Sequence, residues 1–87
     1  MIAYIDGELA YIGDGHAVVD VGGIGYSINM AQPAIAELGK MMNATHHPRV
    51  RLYTHLHVRE DAMLLYGFIH KNEVEMFKIL ILSLIHI

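Results

Sequence analysis

Three groups of side chains in this 87-residue chain have types and spacings that chemistry can use. Among seven histidines, His55 and His57 alternate along one segment, with His46 and His47 shortly before them. Residues two apart on a strand share a face, so His55 and His57 could hold one ion if a third ligand reached in. No fixed acidic third ligand stands in the pattern, and strand histidines commonly serve as polar surface or interface residues. The glycine cluster "GGIG" at Gly22 to Gly25 lacks the spacing, the following helix and the lysine of a phosphate-binding loop, and reads as a turn. The run Arg59, Glu60, Asp61 sets a guanidinium beside two carboxylates. Neighbouring carboxylates on a turn lack the walled pocket that acid and base catalysis requires, so this pair carries no hydrolytic chemistry; taken alone it reads as a solvated hairpin turn. There is no cysteine, and Ser27 and Ser83 have neither a nucleophile elbow nor a partnered histidine.

The elements that position these groups must fit one small domain, with room for the opening helix of another. An apolar fraction of 54% against 17% charged excludes a disordered chain and leaves more apolar surface than one small core needs, which favours association. The lack of cysteine excludes a disulfide framework and thiolate metal sites and suits a reducing compartment, so a cytoplasmic location is expected. Met1 leads directly into an alternating segment with no basic and apolar leader, so no signal peptide is expected. The apolar run from Ile79 to Ile87 is nine residues, well short of the roughly 20 that span a bilayer. With a formal net charge of −3, the chain alone should bind DNA poorly, because nonspecific affinity comes from Lys and Arg neutralising phosphates.

Ala3, Ile5, Leu9 and Tyr11 share one parity in a first strand, with Gly7 permitting a bulge or sharp coil there. "GDG" at Gly13 to Gly15 is a turn, and a second strand over His16 to Val21 points Ala17, Val19 and Val21 inward. A third strand ends near Met30 with Tyr26, Ile28 and Met30 on its apolar face. Pro33 and Gly39 bracket a short helix from Gln32 to Leu38, and Lys40 to Pro48 is a loop. Val50, Leu52, Thr54, Leu56 and Val58 then alternate with polar residues in a long fourth strand, "REDA" breaks it, and Met63 to Phe68 forms a fifth. Asn72 and Glu75 resemble a capping box opening a helix in which Val74, Phe77, Leu80 and Ile81 recur at helical spacing. The expected fold is mainly β: a five-stranded OB-fold, a Greek-key barrel with a short helix between strands 3 and 4, followed by a further helix.

"VGGIGYSINM" and "THLHVREDAMLLYGF", with the opening "MIAYIDGELA" and the helix "EVEMFKILI", resemble in order and spacing the N-terminal domain of the RuvA family, whose members recognise four-way (Holliday) junctions for a branch-migration motor. "VREDAMLLYGF" is the most specific piece. The resemblance implies a barrel domain over residues 1–69 and the start of a truncated helix-hairpin-helix domain over 70–81. It also implies a homotetramer that presents Glu60 and Asp61 as an acidic pin at the centre of an open four-way DNA junction. Carboxylates held near phosphates repel them and push crossover strands apart, while Arg59 is placed to meet a phosphate. Family partners would be the hexameric branch-migration ATPase and a junction resolvase, in recombination and repair. The role is non-catalytic, with no cofactor and no membrane. One departure is that Tyr4 and Asp6 stand at positions that are basic in some family members, which bears on any DNA contact by the first strand. "LSLIHI" at Leu82 to Ile87 resembles translated sequencing-adapter DNA and is read as a non-native tail. The alternatives are a generic single-strand-binding OB-fold using Tyr53, Arg49 and Arg51, and a purely structural assembly module.

Overall fold

The structure, a computed structural model, describes the backbone of residues 2–85 and the side chains of residues 2–80. Its elements run β1 (Tyr4–Gly13), β2 (His16–Val21), β3 (Ile24–Asn29), α1 (Gln32–Ala44), β4 (Arg49–Arg59), β5 (Ala62–Phe68) and α2 (Lys71–Ile85). The strands close into a barrel in the order β1-β2-β3-β5-β4, the expected five-stranded plan with one helix between β3 and β4 and a second after β5. Expected contacts of Ile81 and the adapter-like tail's side chains lie outside the described residues.

Closure rests on β1, which pairs with β4 over Tyr4 to Glu8 and with β2 from Glu8 onward. Gly7 sits at the changeover. A Cβ there would collide with the carbonyl oxygen of Asp20, so the close backbone approach admits only glycine. The bulge lies further on, where the register shifts between Leu9 and Tyr11. One extra residue inverts the parity, so Ile12 packs against the core and Tyr11 turns outward, contrary to the expected sharing of one face by Leu9 and Tyr11.

The core is formed by Ile5 and Leu9 of β1, Ala17 and Val19 of β2, Ile28 of β3, Val50 and Leu52 of β4, and Leu65 of β5, with Met30 just beyond β3. Leu38 of α1 plugs one end, a burial that contributes about 1.5–3 kcal/mol. Two residues expected to point inward do not: Val21 and Val58 lie at strand ends beyond the core and are exposed. Thr54, by contrast, is buried, its hydroxyl donating to the Ile2 carbonyl at 2.7 Å and its N–H to that of Ala3.

Helix α1 outruns its expected end at Leu38. Gly39 lies inside it, and the helix closes where the Thr45 N–H donates to the Met41 carbonyl at 2.9 Å. Glycine weakens a helix by about 1 kcal/mol without stopping it, and Met42, packed against the core, supplies the tertiary reason to continue. Helix α2 starts earlier than Asn72: the Glu73 carboxylate accepts the His70 N–H at 3.2 Å, so the capping contact belongs to His70 and Glu73. Val74 is buried, and the Phe77 ring lies 5.1–5.7 Å from those of Tyr66, Phe68 and His55. Leu80, expected on the packed face, is exposed, as are Met76 and Ile79.

His55 meets α2 under electrostatic stress. Burial, then the charge of Lys78 and then His57, holds its imidazole below the usual histidine range, and its Nδ1 has no hydrogen-bond partner among the described residues. Tyr66 lies opposite it in the ladder. Because its folded-state pKa is depressed, the unfolded chain takes up the proton first; stability is full above about pH 6.5 and declines as pH falls towards the folded-state value.

Two outcomes follow. Gly39→Ala, whose new methyl meets no atom within 4 Å, should stabilise the chain by about 0.5–1 kcal/mol in urea denaturation. Thermal unfolding followed from pH 7 to pH 5 should show a falling midpoint, with a shallower fall in His55→Phe; equal slopes would exclude His55 as a contributor.

Candidate nucleic-acid interface

Strands β4 and β5 pair from Tyr53 and Phe68 out to Arg59 and Ala62, leaving Glu60 and Asp61 as a two-residue turn. The core ends at Leu56 and Leu65, and three ladder pairs continue past it: His57 with Leu64, Val58 with Met63, and Arg59 with Ala62. Val58 and Met63 are 62% and 68% exposed, so the hairpin stands clear of the barrel and carries both carboxylates at its tip. Sequence spacing placed Arg59, Glu60 and Asp61 between two strands, and here they are brought together at one exposed point. Among the described residues, no carboxylate lies within 4 Å of the Arg59 guanidinium.

The geometry of this turn contrasts with that of the β2–β3 hairpin. There Gly22 and Gly23 take φ values of 61° and 90°, the left-handed pair that a two-residue hairpin prefers because its twist matches that of the strands. At the tip of β4–β5 neither Glu60 nor Asp61 has a positive φ. Two acidic residues thus occupy a turn that departs from the left-handed pair, a conformation that Asn-Gly would admit. A site that departs from local preference without a packing gain is where function is expected.

The other cations of β4 are differently engaged. Asp6 of β1 faces Arg51 across the ladder, and its carboxylate lies 2.7 Å from Arg49 and 3.0 Å from Arg51. The hydrogen bond from Arg51 and the charge of Arg49 hold the Asp6 carboxyl below its usual range, against the opposing effect of burial. The Arg51 guanidinium also stacks over Tyr4, 4.3 Å from the ring centre. Asp6 therefore offsets one of the two positive charges on which a generic single-strand groove would depend.

His55 and His57 share the outer face of β4 with ring centres 6.4 Å apart, while His46 and His47 stack on each other at 4.0 Å and the His47 ring reaches the Leu9 carbonyl. The two pairs are not brought together, and no set of three His, Cys, Asp or Glu side chains among the described residues is placed to hold a metal ion. "GGIG" forms the turn just described, with no helix behind it. No described helix is long and apolar enough to cross a membrane. Missed by sequence reasoning is a cleft between β1, β4 and α2, lined by residues far apart in the chain.

Most of the chain is similar to known proteins. Residues 1–67 match the family described as the RuvA N terminal domain. The chain is 43% identical over 81 residues to the Holliday junction branch migration complex subunit RuvA of Oceanobacillus iheyensis, covering 93% of this chain and 37% of that protein. It is 43% identical over 77 residues to the subunit of that name from Cytophaga hutchinsonii, covering 88% and 36%. With the one from Roseiflexus sp. the identity is 44% over 81 residues, covering 93% and 39%. The chain thus spans little more than a third of the length of these relatives. Since the match runs from the start of the chain to Gly67, within β5, and so includes the carboxylate-tipped hairpin, the chain belongs to the RuvA family through its N-terminal domain.

Proposed function

We propose that this domain recognises the centre of a four-way DNA junction, with Glu60 and Asp61 acting as an acidic pin and Arg59 meeting a neighbouring phosphate. The observation that carries this reading is the exposed two-carboxylate turn held beyond the core by a paired hairpin, in a chain whose relatives bear the name of a Holliday junction branch migration complex subunit. The physical effect is repulsion. A carboxylate about 6 Å from a phosphate costs about 0.7 kcal/mol in bulk water and about 3 kcal/mol at an effective dielectric of ~20. Four copies around one axis, as a homotetramer presents them, discourage crossover strands from stacking and favour an open junction. Specificity then arises from what the tip disfavours as much as from what it attracts.

Grip on the duplex arms belongs elsewhere, since nonspecific DNA affinity scales with neutralised phosphates and this chain has six Lys and Arg against nine Asp and Glu. The helix-hairpin-helix domain, of which we assign only the start to residues 70–81, is the natural supplier of backbone N–H contacts to phosphate. The domain itself is non-catalytic. In this reading a hexameric ATPase drives branch migration and a resolvase cuts the junction, in cytoplasmic recombination and repair of damaged DNA.

The test uses a chimera in which residues 1–81 replace the matching segment of the Oceanobacillus iheyensis relative. With Glu60→Gln and Asp61→Asn, junction binding in a mobility-shift titration should be at least as tight as in the unsubstituted chimera. Fluorescence of 2-aminopurine at the crossover, which reports unstacking, should drop. Unchanged fluorescence with unchanged affinity would remove the pin assignment. A second pair of substitutions separates turn geometry from charge: Glu60→Asn with Asp61→Gly should stabilise the 87-residue chain by about 0.5–1 kcal/mol in urea, while lowering the chimera's 2-aminopurine signal as the amides do.

A further inference from the structure

The cleft between the outer face of the β1–β4 pair and helix α2 has a volume of about 410 Å³, within the range of small-ligand sites. Tyr4 and Tyr53 are cross-strand partners and form its floor on the barrel side, with Arg51 stacked above Tyr4. The opposite wall is α2, which contributes Lys71, Val74 and Lys78. Lys71 and Lys78 are seven residues apart and therefore share a helical face, separated by about 10.5 Å along the axis. Half of the chain's six Lys and Arg line this one cleft. Glu75, 3.8 Å from Lys78, is the carboxylate lining it, and Arg51 shares its charge with Asp6. In a chain of net charge −3, this is a local concentration of positive charge beside two aromatic faces.

We propose that this cleft binds a nucleotide unit of a DNA strand, its base on the tyrosine floor and its phosphate between Lys71 and Lys78. A base has an apolar face and a nearby anion, and aromatic rings beside cations match both parts without reading sequence. The choice of a strand over a free nucleotide rests on the junction reading above. Tyr53 and Arg59 face outward on the same strand, six residues or roughly 20 Å apart, so a strand parted at the hairpin tip is within a few nucleotides of the cleft.

The experiment titrates the 87-residue chain, labelled with nitrogen-15, with a thymidine hexanucleotide and separately with thymidine monophosphate. The hexanucleotide should shift the amide signals of Tyr4, Tyr53 and Val74. Lys71→Ala with Lys78→Ala should weaken it at least fivefold and reduce the salt slope of the binding constant by about 1.4, whereas Lys40→Ala on α1 should leave both unchanged. No shift at those residues, or an equal loss in Lys40→Ala, would overturn the proposal. Monophosphate affinity equal to that of the hexanucleotide would overturn the strand assignment. Neither readout involves a four-way junction or the carboxylates of the tip, so failure here and failure of the pin are separate results.

Discussion

A sheet of five strands closes only if one strand finds partners on both sides along its length, and in this chain that burden falls on β1. Its first half is paired to β4 and its second to β2, and the passage between them runs through Gly7, where a side chain has no room. Everything that places the acidic tip depends on this turn of the backbone. Strand β4 holds its register because Ile5 and Leu52 lie opposite one another in the core, and β5 is carried on β4.

Charge is distributed to suit that frame. Asp6 gathers Arg49 and Arg51 on the outer face of the β1–β4 pair, while the carboxylates of Glu60 and Asp61 stand at the far end of β4. The exposed ion pairs around Asp6 contribute little to stability, because solvent screens them. Their larger effect is on the surface field: they reduce the positive potential of the strand face and leave lysines of α2 as its less compensated cations.

Much of this was legible in residue order, and the exceptions have identifiable causes. The alternation of Val50, Leu52, Thr54 and Leu56 marks the inward face of β4 because each is buried or packed against the core, but alternation alone does not say where the core stops, so Val58 was misplaced. Tyr11 and Ile12 exchanged roles because a bulge adds one residue without a marker in sequence. Gly39 has the residue type of a helix stop, yet Met42 gains by continuing the helix inward. Asn72 is a better cap by type than His70, which put the expected helix start two residues too late. The tip was readable from flanking residues. The cleft was not, since Tyr4, Tyr53 and Lys78 meet only after the barrel closes and tyrosines in strands look like ordinary sheet formers.

The seam between β3 and β5 is narrow: one parallel pairing, Asn29 with Tyr66, supplemented by the Asn29 side chain donating to the Leu65 carbonyl at 3.2 Å. On its other edge the hairpin is bound through β4 to β1 over five successive residue pairs. A support firm on one edge and light on the other makes the hairpin a cantilever. Force applied at its tip is borne by the long β1–β4 ladder, while the short seam yields first. The compliance of the tip is thus directional, and β1, the strand that closes the barrel, is also the beam anchor that decides how far the carboxylates can be displaced.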